Sequence, residues 1–263
     1  MLPMIKKSLH CILLLLAFGA SALLFSAHAQ EIHIAYADEE LPPFAMGNGP
    51  EQPHPPGIYV DLINRVAHEL GITVKFQRQP TKRGQIMLKN GSVDALFSLS
   101  YAQERLELGQ YPMKNGKPDG SRRIGAVAYY LYKLDNSPVE YDGKTIKNAT
   151  MAIGANLGYS IAGDIRKMGL AVEEVKSTDS NLKKLQLARI AAFAGQDIDT
   201  DALIEAHAYA RIVKLPIPMA SKDYFLVFSN QFMAQHADMA EKFWTRLGEV
   251  RDGMTKTLAV QYR

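Results

Sequence analysis

Between residues 31 and 100, short β-prone runs alternate with runs whose apolar residues recur every three to four positions. That alternation constrains the fold of this chain more than any other feature. EIHIAYA (31–37) sets Ile32, Ile34 and Tyr36 among polar or small neighbours and then meets DEELPPF, which predicts a strand entering a loop. DLINRVAHELG (61–71) puts Leu62, Val66 and Leu70 on one helical face, with Ile63 and Ala67 beside them and Gly71 placed to end the helix. ITVKF (72–76) reads as a strand. Thr81 opens a helix carrying Ile86 and Met87, stopped by Asn90 and Gly91, and VDALFSLS (93–100) is a third strand. The order β-α-β-α-β predicts a parallel sheet covered by helices.

A second unit of the same kind follows. RIGAVAYYLYK (123–133) is a long β-prone segment, TMAIGA (150–155) a new strand, and residues 160–168 helical. VEEV (172–175) reads as a strand, NLKKLQLARI (181–190) as a helix, and KDYFLVFS (222–229) as a strand that returns to the first unit. The last helix, about 237–251, aligns Ala240, Phe243, Trp244 and Leu247. The expected organisation is one lobe from 30–129 plus 220–263 and another from 134–215, with hinges near 129–134 and 215–222.

Residues 1–29 are expected to be a cleavable signal peptide and the protein periplasmic. Lys6 and Lys7 form a positive start, residues 12–25 are almost wholly apolar, and AHA (27–29) ends the stretch with small residues. Cleavage there removes two lysines and no acid, so the net charge falls from +3 to +1. With no basic block, nucleic acid is not an expected partner. The single cysteine, Cys11, leaves with the leader, which excludes a disulfide scaffold and any thiolate chemistry from the mature chain. The histidines lack H-x-x-x-H spacing, and no metal or other cofactor is expected. GYSIAG falls one residue off the nucleophile-elbow spacing; Ser180 and Lys183 match S-x-x-K without its companion motifs.

SLSYAQER (98–105) sets Ser98 and Ser100 ahead of Arg105 at the end of a buried strand. One reading is a solvated strand end with a surface arginine; the other is an anion site.

Six motifs in order resemble the family-3 extracellular solute-binding proteins. DEELPPF resembles D-x-x-[aromatic]-x-P-F, and PGIYVDLINRVAHELG the helix that follows it. PTKRGQIMLKNGSVDA resembles P-W-x-R then G-x-V-D-A, and SLSYAQER resembles S-x-S-x-T-x-x-R. DGKTIKNATMAIGANLGYS resembles the entry to the second lobe, and VRDGMTKTLAVQY the C-terminal D-G-x-x-x-x-I-x-x-x-Y. The resemblance implies an α/β, two-lobed periplasmic binding protein fold of type II. Two mixed sheets flanked by helices would be joined by two crossover hinge segments. It implies a monomer that holds a small polar or carboxylate-bearing solute between the lobes for an inner-membrane permease of an ABC transporter.

By the same resemblance Arg105 is the clamp for the ligand carboxylate, with Ser98 and Ser100 beside it, because a planar guanidinium matches a carboxylate with two parallel hydrogen bonds. Gly158, Tyr159 and Ser160 form the facing turn, whose N–H groups are expected to meet an anion. Asp38, Phe44, Arg83, Tyr101 and Asp197 complete the candidate set, Asp38 and Asp197 as partners for a ligand cation. The sequence departs from the family pattern at Leu41, Ala102, Ala191 and Gln196, where an aromatic, a threonine and two aspartates are expected. An ammonium buried without the last of these carboxylates would cost several kcal/mol, so the ligand class stays open. Two other readings remain: an enzyme on this fold resembling cyclohexadienyl dehydratase, and a solute sensor acting without a transporter.

Overall fold

The computed structural model describes residues 30–262; the expected signal peptide lies outside them. The first unit forms β1 (Glu31–Ala37), α1 (Ile58–Glu69), β2 (Thr73–Gln79), α2 (Thr81–Lys89) and β3 (Ala95–Ser100). A 3-10 turn (Gln103–Glu107), a short hairpin, β4 (Met113–Lys114) with β5 (Lys117–Pro118), and a second 3-10 turn (Gly120–Arg122) lead into β6 (Gly125–Leu134). A second hairpin, β7 (Glu140–Tyr141) with β8 (Ile146–Lys147), precedes β9 (Ile153–Asn156), α3 (Ser160–Lys167), β10 (Val172–Val175) and α4 (Thr178–Gln186). The chain ends with β11 (Ala192–Gln196), α5 (Asp197–Ala206), β12 (Ile212–Lys214), β13 (Ala220–Phe228) and α6 (Asn230–Gln261).

β1 pairs in parallel with β2 and β3, and β9 pairs in parallel with β10 and β11. The two sheets expected from the sequence are joined in one nine-stranded ladder, ordered β10-β9-β11-β6-β13-β3-β1-β2 with β12 also on β6. The cause is the length of β6 and β13. The first half of β6 pairs with β13, from Gly125 opposite Tyr224 to Tyr129 opposite Ala220. Tyr129 to Tyr132 then pair with β11 and the end of β6 with β12. β13 changes partner in the same way, turning from β6 to β3 at Tyr224, which also faces Ser100. Tyr129 and Tyr224 thus stand at the two handover points.

Helices cover this ladder with the residues the sequence periodicity selects. α1 buries Leu62, Ile63, Val66 and Ala67, and α6 buries Ala240, Phe243, Trp244 and Leu247. α6 is longer than expected at both ends. Ser229 caps it by accepting from the N–H of Phe232, and the helical geometry breaks at His236, one residue before the predicted start. α4 stops at Gln186 instead of 190, because Ala188 takes a left-handed conformation (φ 52°).

Tyr59 of α1 has a buried hydroxyl without a hydrogen-bond partner among the described residues, and it fills the space a side chain at Gly125 would need. An unsatisfied buried hydroxyl carries a desolvation cost that an isosteric apolar group avoids. Tyr59→Phe is therefore expected to leave the thermal midpoint unchanged or raise it by about 2–4 °C. A clear fall in the melting curve would show that the hydroxyl has a partner.

Candidate functional site

The ends of β1, β3 and β11, the middles of β6 and β13 and the turn before α3 surround a cavity of about 50 Å³. Its wall includes Ser98, Ser100, Arg105, Gly158, Tyr159 and Ser160, so six of the sequence-predicted residues meet at one place.

β3 reaches the cavity through a bulge. Leu96 faces Val227 and Leu99 faces Phe225, so Phe97 and Ser98 together oppose one residue of β13. Ser98 holds a left-handed backbone (φ 61°), a costly conformation for a serine and of a kind that concentrates at functional sites.

Arg105 is not a surface arginine; it is 7 % exposed. The 3-10 turn folds it back on its own strand, where Nη1 donates to the Ser100 carbonyl (2.7 Å) and hydroxyl (2.9 Å). Nη2 donates to the Gly158 carbonyl (2.7 Å). Five guanidinium hydrogens are available, so Nε and the second Nη2 hydrogen are left without an acceptor among the described residues. Ser100 is also tied to Ser160, hydroxyl to hydroxyl, at 2.8 Å.

The facing turn works differently from the expectation. Gly158 (φ 82°) aims its carbonyl, not its N–H, at Arg105, and that oxygen also accepts from Gln85 Nε2 at 2.9 Å. Its N–H turns away to Glu174 at 3.1 Å. The peptide plane is set by the two cationic and amide donors on the far side.

Five of the predicted residues stay out of the cavity wall. Asp38 pairs with Lys176 (3.2 Å) through one carboxylate oxygen while the other, buried, has no partner among the described residues. Phe44 stacks on Tyr59 at 4.8 Å. Arg83 lies on the exposed side of α2, next to the buried Gly84 and Gln85. Tyr101 packs edge-on against Tyr111 and donates to Gln103. Asp197 accepts from the N–H of Ile198 at the start of α5.

Sequence reasoning missed Lys222 and the cluster around Gln196. Lys222 donates to the Ser160 hydroxyl (2.8 Å) and pairs with Asp164; burial pushes its ammonium down, against the pull of Asp164. Gln196 Nε2 lies 3.0 Å from the Tyr129 hydroxyl and 2.6 Å from that of Tyr224, and the two hydroxyls are 2.6 Å apart. All three side chains line the cavity.

Glu39 and Glu40 reach the cavity from the loop after β1. Burial, then the Asp38 charge, push Glu39 up to about 7, with Lys176 opposing. Burial pushes Asp199, which accepts from Thr178 at 2.6 Å, up to about 6. A carboxyl raised in the folded state holds its proton more tightly than the unfolded chain does. Its stabilising contribution is therefore present below the unfolded value near 4.3 and is lost as the pH rises through 6 to 7. The melting midpoint is expected to fall between pH 4.5 and 7, and the doubly neutral variant Glu39→Gln, Asp199→Asn to flatten that slope. A wild-type midpoint rising across the window would contradict this.

The fold is that of the periplasmic binding proteins. A histidine kinase sensor domain with similarity to periplasmic binding proteins matches with a TM-score of 0.69 at 15 % identity, covering 88 % of this chain and 95 % of that one. An ancestral arginine-binding protein bound to arginine matches with 0.69 at 15 % identity, over 89 % and 99 %. The GluR0 ligand-binding core from Nostoc punctiforme in complex with (L)-glutamate matches with 0.66 at 16 %, over 88 % and 98 %. At the level of sequence, residues 32–112 match the bacterial extracellular solute-binding proteins, family 3, the family the motifs resemble. No curated protein matches this sequence.

Proposed function

We propose that this is a periplasmic binding protein that closes its two lobes on a small carboxylate-bearing solute and delivers it to an inner-membrane permease. The observation that carries the reading is Arg105. It is a buried guanidinium on the wall of a cavity at the strand ends, with two hydrogens unassigned and Ser98, Ser100 and Ser160 around it. Crevices outside the ends of sheet strands are where α/β proteins of this kind take ligands. A cavity of about 50 Å³ has room for roughly three or four waters, which favours a solute of few non-hydrogen atoms.

Ties across the site suit a closure driven by ligand contacts with both lobes. Arg105 and Gln85 reach Gly158, Ser100 reaches Ser160, and Asp38 reaches Lys176. The hinges would lie near 129–134, where β6 changes partner, and near 215–222, where the chain returns to pair with β6 at the start of β13.

The test is a thermal-shift screen of residues 30–263, refolded free of ligand, against small carboxylates, amino acids, peptides and polyamines. A ligand at a hundredfold its dissociation constant adds about 2.7 kcal/mol, or roughly 5–10 °C for a chain of this size. The expected hits carry a carboxylate; polyamine hits without carboxylate hits would overturn the reading.

Glu39 favours a second reading, an enzyme on the same fold. A cavity carboxyl held near neutrality suits general acid catalysis. Incubating the protein with each hit separates the two: a binder returns the compound unchanged, an enzyme does not.

A further inference from the structure

Behind the cavity wall at Ser160 stands a second cation. Lys222 of β13 is two residues from Tyr224 and shares its face of the strand, but it is not itself part of the wall. Its Nζ lies 2.8 Å from Ser160 Oγ and 5.8 Å from the centre of the Tyr129 ring. Asp164, one turn along α3 from Ser160, pairs with the same ammonium and opposes the burial that pushes it down.

An ammonium has hydrogens and no lone pair, so Ser160 can only accept from Lys222. Ser100 likewise can only accept from Arg105 Nη1, at 2.9 Å. The two hydroxyls are joined to each other at 2.8 Å. Arg105, Ser100, Ser160 and Lys222 therefore form a row with a cation at each end. One hydrogen lies between the hydroxyls. One hydrogen and one lone pair are left over, and charge decides which of them suits a solute.

The charge at this end of the cavity is positive. The Lys222–Asp164 pair is neutral in sum but lies as a dipole with its positive end on Ser160. The side chain of Lys222 is 13 % exposed and that of Asp164 37 %, so water screens the negative end more. Donation from both ends polarises the joined hydroxyls, which makes the leftover hydrogen a stronger donor. Glu39 and Glu40 share the cavity, but among the described residues neither is hydrogen-bonded to any of the four. They stay available to whatever else the solute carries.

We infer that Lys222 is a positioning residue of the carboxylate site: acting through Ser160, it adds to the preference for an anionic oxygen over a neutral one. The inference rests on the reading proposed above, in which Arg105 makes the direct contact.

The test titrates residues 30–263 calorimetrically with three acids and their α-amides: lactate and lactamide, alanine and alaninamide, glutamate and isoglutamine. For an acid that binds, Lys222→Met is expected to lower the ratio of acid to amide affinity roughly tenfold, and Lys222→Arg to restore part of it. Made in Ser160→Ala, the lysine-to-methionine change is expected to cost less than about threefold, since the hydroxyl it acts through is gone. Asp164→Asn breaks the same ion pair from its other end and is expected to raise the ratio about two- to threefold. Circular dichroism checks that each variant folds, and mildly acidic buffer keeps Lys222 charged once its partner is neutral. If Lys222→Met and Asp164→Asn lower the ratio alike, the pair only holds β13 to α3 and the inference is wrong. If the full tenfold loss persists in Ser160→Ala, the lysine does not act through the serine and the inference is again wrong. If Lys222→Met leaves the ratio unchanged while Arg105→Ala closes it, the inference is wrong and the carboxylate reading survives. If none of the acids binds the wild type, the carboxylate reading fails and the inference falls with it.

Discussion

Arg105→Ala is expected to weaken binding of a carboxylate ligand on the order of 10²–10³-fold, since removing one partner of a buried, hydrogen-bonded charge pair costs about 2–5 kcal/mol. The ligand carboxylate would then be buried without a counter-charge. The same change cuts the bonds to Ser100 and Gly158, so the ligand-free midpoint should fall as well. Binding and stability must therefore be measured separately, by titration well below the variant's melting temperature. Arg105→Lys sharpens the result. It keeps the positive charge but loses the planar fork, so it should recover only part of the affinity. An alanine variant that binds like the wild type would mean that the guanidinium serves only to hold the turn at Gly158.

The largest expected effect on stability lies far from the site. Trp244 of α6 is 1 % exposed, donates its indole N–H to the Leu226 carbonyl at 2.7 Å and packs against Phe228 at 5.3 Å. Arg122 lies over its ring at 5.8 Å. Trp244→Ala removes this contact surface and leaves the β13 carbonyl unpaired, at a cost of about 3–5 kcal/mol. A fall in the midpoint of roughly 10 °C follows for a domain of this size. Trp244→Phe should fall in between, because it keeps the ring contact and loses the hydrogen bond. An alanine variant melting within a degree or two of wild type would show that α6 is not part of the cooperative core.

Much of the fold is legible because its first half follows simple patterns. β1 alternates, α1 keeps an apolar stripe, and Gly91 (φ 73°) follows the end of α2. β11 and α5 carry no such signal. Ala192 to Gln196 are buried on both faces, so no alternation exists to be read, and α5 has only Asp199 and Thr200 buried. The end of α4 has no glycine or proline to mark it, since an alanine takes the left-handed turn.

The site was half legible for the same physical reason. Arg105 and the two serines lie within one short motif, where spacing carries information. Tyr129, Gln196 and Tyr224 come from three strands 28 to 95 residues apart, and only the handover of β6 and β13 between partners brings them together. Gln196 was visible as a departure from the family pattern, but its contacts with Tyr129 and Tyr224 were not. Asp38 went astray because the sequence does not show Lys176 reaching it from the loop after β10.

The most direct test of the account is a calorimetric titration of the refolded protein with the best carboxylate from the screen and, in parallel, with its primary amide. The two differ chiefly in the charge that Arg105 is said to bind. The acid is expected to bind at least a hundredfold more tightly than the amide in the wild type, and the gap to close in Arg105→Ala. Equal binding of acid and amide in the wild type would contradict it.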